Sequence, residues 1–164
     1  LRFCRRGKCG GRPWQAQCIV FGLAVVVVGQ QLQLCAEAAH ALGVEPARIA
    51  KTLSVLQGEE PVLIVTEGTA KLDNHKYKDR FHIKARMIPY GEVESFIGHA
   101  PGGVCPFGVN AGVKIYLDES LHKFDTVYPA AGNSHTAAKL TLQELEAAAN
   151  AEGWVDVCKE PDAE

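Results

Sequence analysis

Much that would assign this chain to a broad class is missing from it. Its longest apolar stretch, residues 18–28, has eleven residues, well short of the ~20 that a helix needs to cross a bilayer. The patterns GxxxxGK(S/T), GxGxxG, HExxH and GxSxG are all absent. Phosphate-cradle, dinucleotide, zinc-protease and serine-hydrolase devices of the usual kind are therefore not expected. No acidic residue precedes Glu37 and no histidine precedes His40. After residue 35 the only cysteines are Cys105 and Cys158, too few for a disulfide framework, so the body reads as reduced and cytosolic. Cys4, Cys9, Cys18 and Cys35 crowd the start of the chain. Their spacing is a poor match to zinc ligation, and neither a metal nor a cofactor is expected.

What is present is ordinary for a globular protein. A 164-residue chain with 47% hydrophobic and 22% charged residues is one domain's worth and is neither disordered, collagenous nor coiled coil. Charge is unevenly placed. Residues 1–35 carry five basic groups and no acid, whereas the remainder holds 12 basic and 19 acidic groups, a net of −7. An acidic body does not capture nucleic acid broadly, so any such contact must be local.

Propensity and periodicity predict mixed elements. A helix over 36–42 stops at Gly43 in the left-handed cap position, and a short helix opens at Pro46 and runs through Ala50. Strands are expected at 51–56, 61–66, 85–88, 113–117, 126–130 and 137–140, with a last one at 154–158. Helices are expected at 74–81 and 90–97, and over 141–151 with Thr141 and Glu144 forming a capping box. Residues 98–108 hold too much glycine and proline to be regular. The irregular alternation indicates an α+β (mixed α/β) fold in a single domain.

Three places could carry chemistry. Lys51 opens a strand directly after a helix; a lone surface lysine is its plainer reading. Gly102-Gly103-Val104-Cys105-Pro106 lacks bulk at two successive positions, which lets main-chain N–H groups converge on an anion or polarised carbonyl. A wide connecting turn is the alternative there. Cys105, with His99 close in sequence, raises a thiol nucleophile as a lesser reading. Tyr128–Thr136 follows a strand and collects small residues, Gly132 among them, with Asn133, Ser134 and His135; a polar turn is its plainer reading.

The strings Ala47–Leu53, Gly102–Gly108, Val113–Leu121 and Tyr128–His135 occur in this order and at suitable spacing. Together they resemble the YbaK/EbsC family, free-standing relatives of the prolyl-tRNA synthetase editing domain, from about Ala36 to Cys158. The resemblance implies a compact fold with a mixed, partly barrel-like sheet flanked by helices. It implies hydrolysis of the ester joining a small, wrong amino acid to tRNA, as for cysteinyl- or alanyl-tRNA of the proline type. Lys51, Gly102 and Gly103 fall on the family's catalytic lysine and glycine loop. Thr52, Val104, Pro106, Gly132, Asn133, Ser134 and His135 would border the substrate. The terminal ribose hydroxyl is thought to help activate water in this family, so no Ser–His or Cys–His device is needed. The partners implied are the tRNA acceptor end and a synthetase, in the cytoplasm and away from membranes. A non-catalytic module that only holds an aminoacyl or nucleotide end is the rival.

Two departures stand out. Where some cysteine-removing relatives carry an acid, this chain has Ala137, which leaves alanine, serine or another small residue open. Residues 1–34 do not match the family, so the domain is placed at 35–160, with 161–164 as a tail. Residues 1–34 are expected to be a mistranslated frame or aberrant fusion rather than an export leader. On that reading 1–17 pack poorly, the apolar run still forms a strand, and the pocket lacks one wall.

Overall fold

The computed structural model describes residues 2–4, 24–27, 35–132 and 136–160. In chain order they form β1 (Arg2–Cys4), β2 (Ala24–Val27), α1 (Cys35–Leu42), a 3₁₀ turn (Pro46–Arg48), β3 (Ile49–Gln57), β4 (Glu60–Glu67), β5 (Lys71–Leu72), α2 (Asn74–Phe81), β6 (Arg86–Met87), a 3₁₀ turn (Tyr90–Glu92) and α3 (Val93–Ile97). The remainder is β7 (Lys114–Asp118), a 3₁₀ turn (Glu119–Lys123), β8 (Thr126–Pro129), β9 (Thr136–Thr141), α4 (Leu142–Ala149), β10 (Gly153–Val155) and β11 (Cys158–Lys159). The fold is mixed α/β, as the sequence implies. One sheet runs β1-β2-β9-β8-β3-β4-β7-β10, with β6 added to β3, and β11 pairs β5 separately. The strand expected within the apolar run is β2, laid antiparallel on β9 with Val26 opposite Ala137. The expectation of poor packing for residues 1–17 falls mostly outside the described residues; Arg2–Cys4 form a strand against Val25–Val27.

The sheet is organised by the β3–β4 hairpin. Gly58, at φ +69°, takes the first place of the two-residue turn, where such hairpins favour glycine. Every residue from Val62 to Glu67 is buried, because β4 lies between antiparallel β3 and parallel β7 with both faces covered. A continuous apolar run is what such a strand requires. One face packs Leu63, Val65, Leu117 and Leu140 into the larger core; the other packs Val55, Ile64, Tyr77 and Val157.

Local signals place most ends. Gly43 closes α1 in a Schellman arrangement, with Val44 N–H on Ala39 O at 3.0 Å and Gly43 N–H on His40 O at 3.2 Å. The Thr141–Glu144 capping box is present. Asp73 caps α2 by accepting from the N–H groups of His75 and Lys76.

Several expectations need correction. The helix foreseen at 46–50 is a single 3₁₀ turn, and Ile49 and Ala50 already belong to β3. Strand β5 and the turn at 119–123 were not signalled, being too short to show a period. The closing strand is two strands in different sheets. Asp118 causes the break: its buried carboxylate accepts from Val157 N–H at 3.0 Å, and Val157 O accepts from Asp73 N–H at 2.9 Å. Residues 158–159 are thereby turned onto β5.

Gly68 follows β4 at the tightest crossing in this part of the chain. A Cβ there would lie 2.1 Å from Pro46 O and 3.0 Å from Ile49 O. Gly68→Ala is therefore expected to force the main chain apart and destabilise the fold by about 2 kcal/mol. Urea unfolding measures this, and an unchanged midpoint would refute it.

Candidate active site

The outer edge of β3 is interrupted. Along its inner edge β3 pairs with β4 from Ala50 to Gln57. On the outer edge β8 reaches only Ile49 and Ala50, and β6 reaches only Val55 and Leu56. Residues 51–54 have no strand partner there among the described residues. Ser54 O accepts from Ile88 N–H at 3.1 Å. By the alternation of an antiparallel ladder, Thr52 points its own N–H and C=O outward, into the gap.

A cleft of about 380 Å³ occupies this gap, within the range of small-ligand sites. The open edge lets it reach both sheet faces. Thr52 and Ser54 line it from the side of the larger core and Lys51 from the other side; Cys35 of α1 lines it as well. Met87, Ile88, Tyr90 and Val93 form a second wall, Gly102 and Val104 a third, and Tyr128, Ala130, Thr136 and Ala137 a fourth. Thr52 Oγ1 is buried and has no hydrogen-bond partner among the described residues, so the Thr52 hydroxyl is left for a group that enters the cleft beside its main chain. Among the described lining residues there is no carboxylate and no imidazole.

Lys51 sits opposite Thr66 in the ladder. Its ammonium donates to Gly68 O at 3.3 Å and, closely, to Ala70 O. Two of the three ammonium N–H donors are thus committed, and among the described residues nothing takes the third. The charge also reaches two thiols. Burial pushes the Cys35 thiol above its ordinary pKa, and Lys51 pulls it partly back. Burial raises the Cys158 thiol to about 12 against a smaller opposing pull from Lys51.

The glycine loop divides its residues between cleft and core. Gly102, at φ +84°, is exposed, and a Cβ on it would meet nothing within 4 Å. Glycine suits that backbone conformation and leaves the space in front of it open. Gly103 is buried and donates its N–H to Ala100 O at 3.0 Å, so that amide is committed within the loop. Val104 lines the cleft, whereas Gly103 and Pro106 do not. Gly132, at φ +85°, lies just beyond Ala131 and is not among the lining residues. Asn133, Ser134 and His135 lie outside the described residues. Tyr128 and Thr136 bound the small polar turn that sequence reading singled out, although neither was named as a site residue. Sequence reading missed Cys35, Met87, Ile88 and Tyr90, which nothing in their local sequence marks, because register alone brings them to the gap.

Fold and site define a small mixed α/β domain with a ligand cleft at an interrupted strand edge. A family model described as the aminoacyl-tRNA editing domain matches residues 30–148. The chain belongs to that family. It is 46% identical over 125 residues to the uncharacterized protein YwhH of Bacillus subtilis, covering 76% of this chain and 80% of that one. It is 31% identical over 91 residues to a proline–tRNA ligase of Limosilactobacillus fermentum, spanning 52% of this chain but only 16% of that enzyme. Among solved structures it is similar to a candidate trans-editing enzyme for prolyl tRNA synthetase, at a TM-score of 0.81 and 29% identity over 92% of this chain and 99% of that one. The hypothetical protein APE2540 shares the fold at a TM-score of 0.81 and 24% identity, over 90% of this chain and all of the other. Among the described residues no helix is long and apolar enough to cross a membrane, and no three His, Cys, Asp or Glu side chains form a cluster able to hold a metal.

His99 and Cys105 do meet, with Nε2 and Sγ 3.7 Å apart, but both are buried and neither lines the cleft. His99 Nε2–H donates to Phe107 O at 2.7 Å, which braces the loop from inside. Burial holds the His99 pKa below its ordinary 6.5, and the bond to Phe107 only partly opposes this. Unfolding therefore takes up a proton at His99 once the pH drops below about 6.5. Its contribution is full above that value and is lost as the pH falls towards the folded pKa. Stability should decline from pH 7.5 to 5.5, and His99→Gln should unfold more easily yet show a flatter decline. Parallel pH profiles for the two proteins would contradict this role.

Proposed function

We propose that the cleft hydrolyses the ester between a small, uncharged amino acid and the 3′-terminal adenosine of a mischarged tRNA. The observation that carries this reading is the meeting of two distant segments, Lys51–Thr52 and the Gly102 turn, across one gap in β3. An aminoacyl ester is already activated. It needs a positioned water, stabilisation of the developing oxyanion and a limited space for the side chain, not a strong nucleophile.

The residues divide these tasks. The remaining Lys51 N–H holds a ribose hydroxyl or phosphate of the terminal adenosine as a point charge. Thr52 orients the aminoacyl end through its main chain and Oγ1. The exposed amide face at Gly102 receives the oxyanion, and the vicinal ribose hydroxyl helps to activate water. The methyl groups of Ala130 and Ala137, with Val93 and Val104, favour a small apolar side chain. Discrimination among such side chains is worth only about 1–3 kcal/mol, so the tRNA must supply part of the selection. Likeness to part of a proline–tRNA ligase favours tRNA of the proline type, with a synthetase as the source of the mischarged product. The site of action is the cytoplasm.

A panel of aminoacyl-tRNAs tests the reading. Release of one small amino acid is expected, and binding without release would favour a non-catalytic module. Lys51→Ala should lower kcat/KM about 10- to 100-fold, as loss of a charge-assisted contact does; near-normal turnover would remove Lys51 from the mechanism. Cys105→Ser should stay within a few-fold of the parent, since the loop acts through its backbone. Loss of activity in this variant, with an acyl-thioester trapped on Cys105 of the parent protein, would establish covalent catalysis instead.

A further inference from the structure

Residues 74–86 carry Lys76, Lys78, Arg80, Lys84 and Arg86 against the single acid Asp79. This net of +4 lies in a body that sums to −7. Lys76 is committed, donating to Asp156 at 2.7 Å and to Cys158 O at 3.0 Å. Lys78, Arg80, Lys84 and Arg86 are exposed and make no ion pair among the described residues. Arg80 only rests over the Phe81 ring, 5.4 Å from its centroid. Four cations in so short a segment, with no ion pair among the described residues, repel one another.

Their position relative to the cleft is the second observation. The segment runs through β6 directly into the cleft wall at Met87 and Ile88. Lys84 is three residues from Met87, so the two are at most about 10 Å apart along the chain. Met87 and Tyr90, 53% and 79% exposed, line the cleft just after the basic segment in the chain. Beyond Tyr90 the exposed charges become acidic, at Glu92 and Glu94. Along residues 74–94, a polyanion whose end enters the cleft is thus attracted on the side of the basic segment and repelled at Glu92 and Glu94.

We propose that Lys78, Arg80, Lys84 and Arg86 form the docking strip for the phosphate backbone of the acceptor arm, leading its 3′ end over Met87 and Tyr90 into the cleft. This rests on the deacylase reading and adds to it where the body of the RNA lies. Backbone contacts of this kind set affinity and register without reading bases.

The test uses the full chain and a triple variant, Lys78→Gln, Arg80→Gln and Lys84→Gln, checked for unchanged thermal unfolding. Two substrates are compared: aminoacyl-tRNA and an aminoacyl-CA dinucleotide too short to reach the strip. At low salt kcat/KM on tRNA should fall about tenfold or more, with the dinucleotide unaffected. Its log–log salt dependence should become shallower by about 2, since each lost phosphate contact removes roughly 0.7–0.9. A charge-keeping variant, Lys78→Arg with Lys84→Arg, should retain tRNA activity. Equal losses on both substrates, or none on tRNA, would overturn the strip. If the parent protein hydrolyses neither substrate, the deacylase reading fails and the strip is judged by binding alone. Anisotropy with an uncharged acceptor-stem hairpin should then show salt-sensitive binding that the triple variant weakens; equal binding by both proteins would refute the strip.

Discussion

Everything in the site depends on β3 being bonded along one edge and open along part of the other. The inner edge is occupied by β4, which must stay central because six successive buried residues demand cover on both faces. The outer edge is shared by two short partners, β8 at one end and β6 at the other. Neither reaches Thr52. An unpaired strand edge is normally a liability, but here helix, loop and turn surround it and convert it into a cleft with a main-chain donor and acceptor on its floor.

The carboxy-terminal end of β4 is held by a polar network that keeps this geometry in place. Glu67 is buried, accepts from Thr69 Oγ1 at 2.8 Å and lies 3.7 Å from the Lys123 ammonium. Ser120 Oγ accepts from Glu67 N–H at 3.3 Å and contacts Thr66 Oγ1 at 3.1 Å. Asp118 caps the turn that presents Ser120 and also holds Val157. A buried carboxylate is costly unless it is paired and hydrogen-bonded, and both conditions are met. The same region delivers the Gly68 and Ala70 carbonyls that hold Lys51, so the network bears on the cleft without lining it.

The histidine–cysteine pair shows how residue type can mislead. Both groups have nucleophile–base chemistry, lie within seven residues and approach each other in space. Yet burial stabilises the neutral ring, and neither group lines the cleft. Their contribution is to pin Phe107 so that Gly102 and Val104 face the cleft while Gly103 and Cys105 face inward.

Much of the fold was legible because its signals are local. Capping at Thr141, the Schellman stop at Gly43 and the apolar run of β4 depend on residues a few positions apart, so periodicity and turn chemistry locate them. Lys51, Thr52, Gly102 and Val104, expected at the site from four motifs in register, line the cleft. Cys35, Met87 and Tyr90 line it with no such signal, and the spending of the Gly103 amide on Ala100 had none either. Those facts depend on which strand stops short beside β3 and on how a loop closes upon itself. Sequence by itself determined the elements and the residue types available for chemistry. Only the tertiary structure decided which of them share the gap, because strand register and loop closure are settled by long-range pairing that no local pattern encodes.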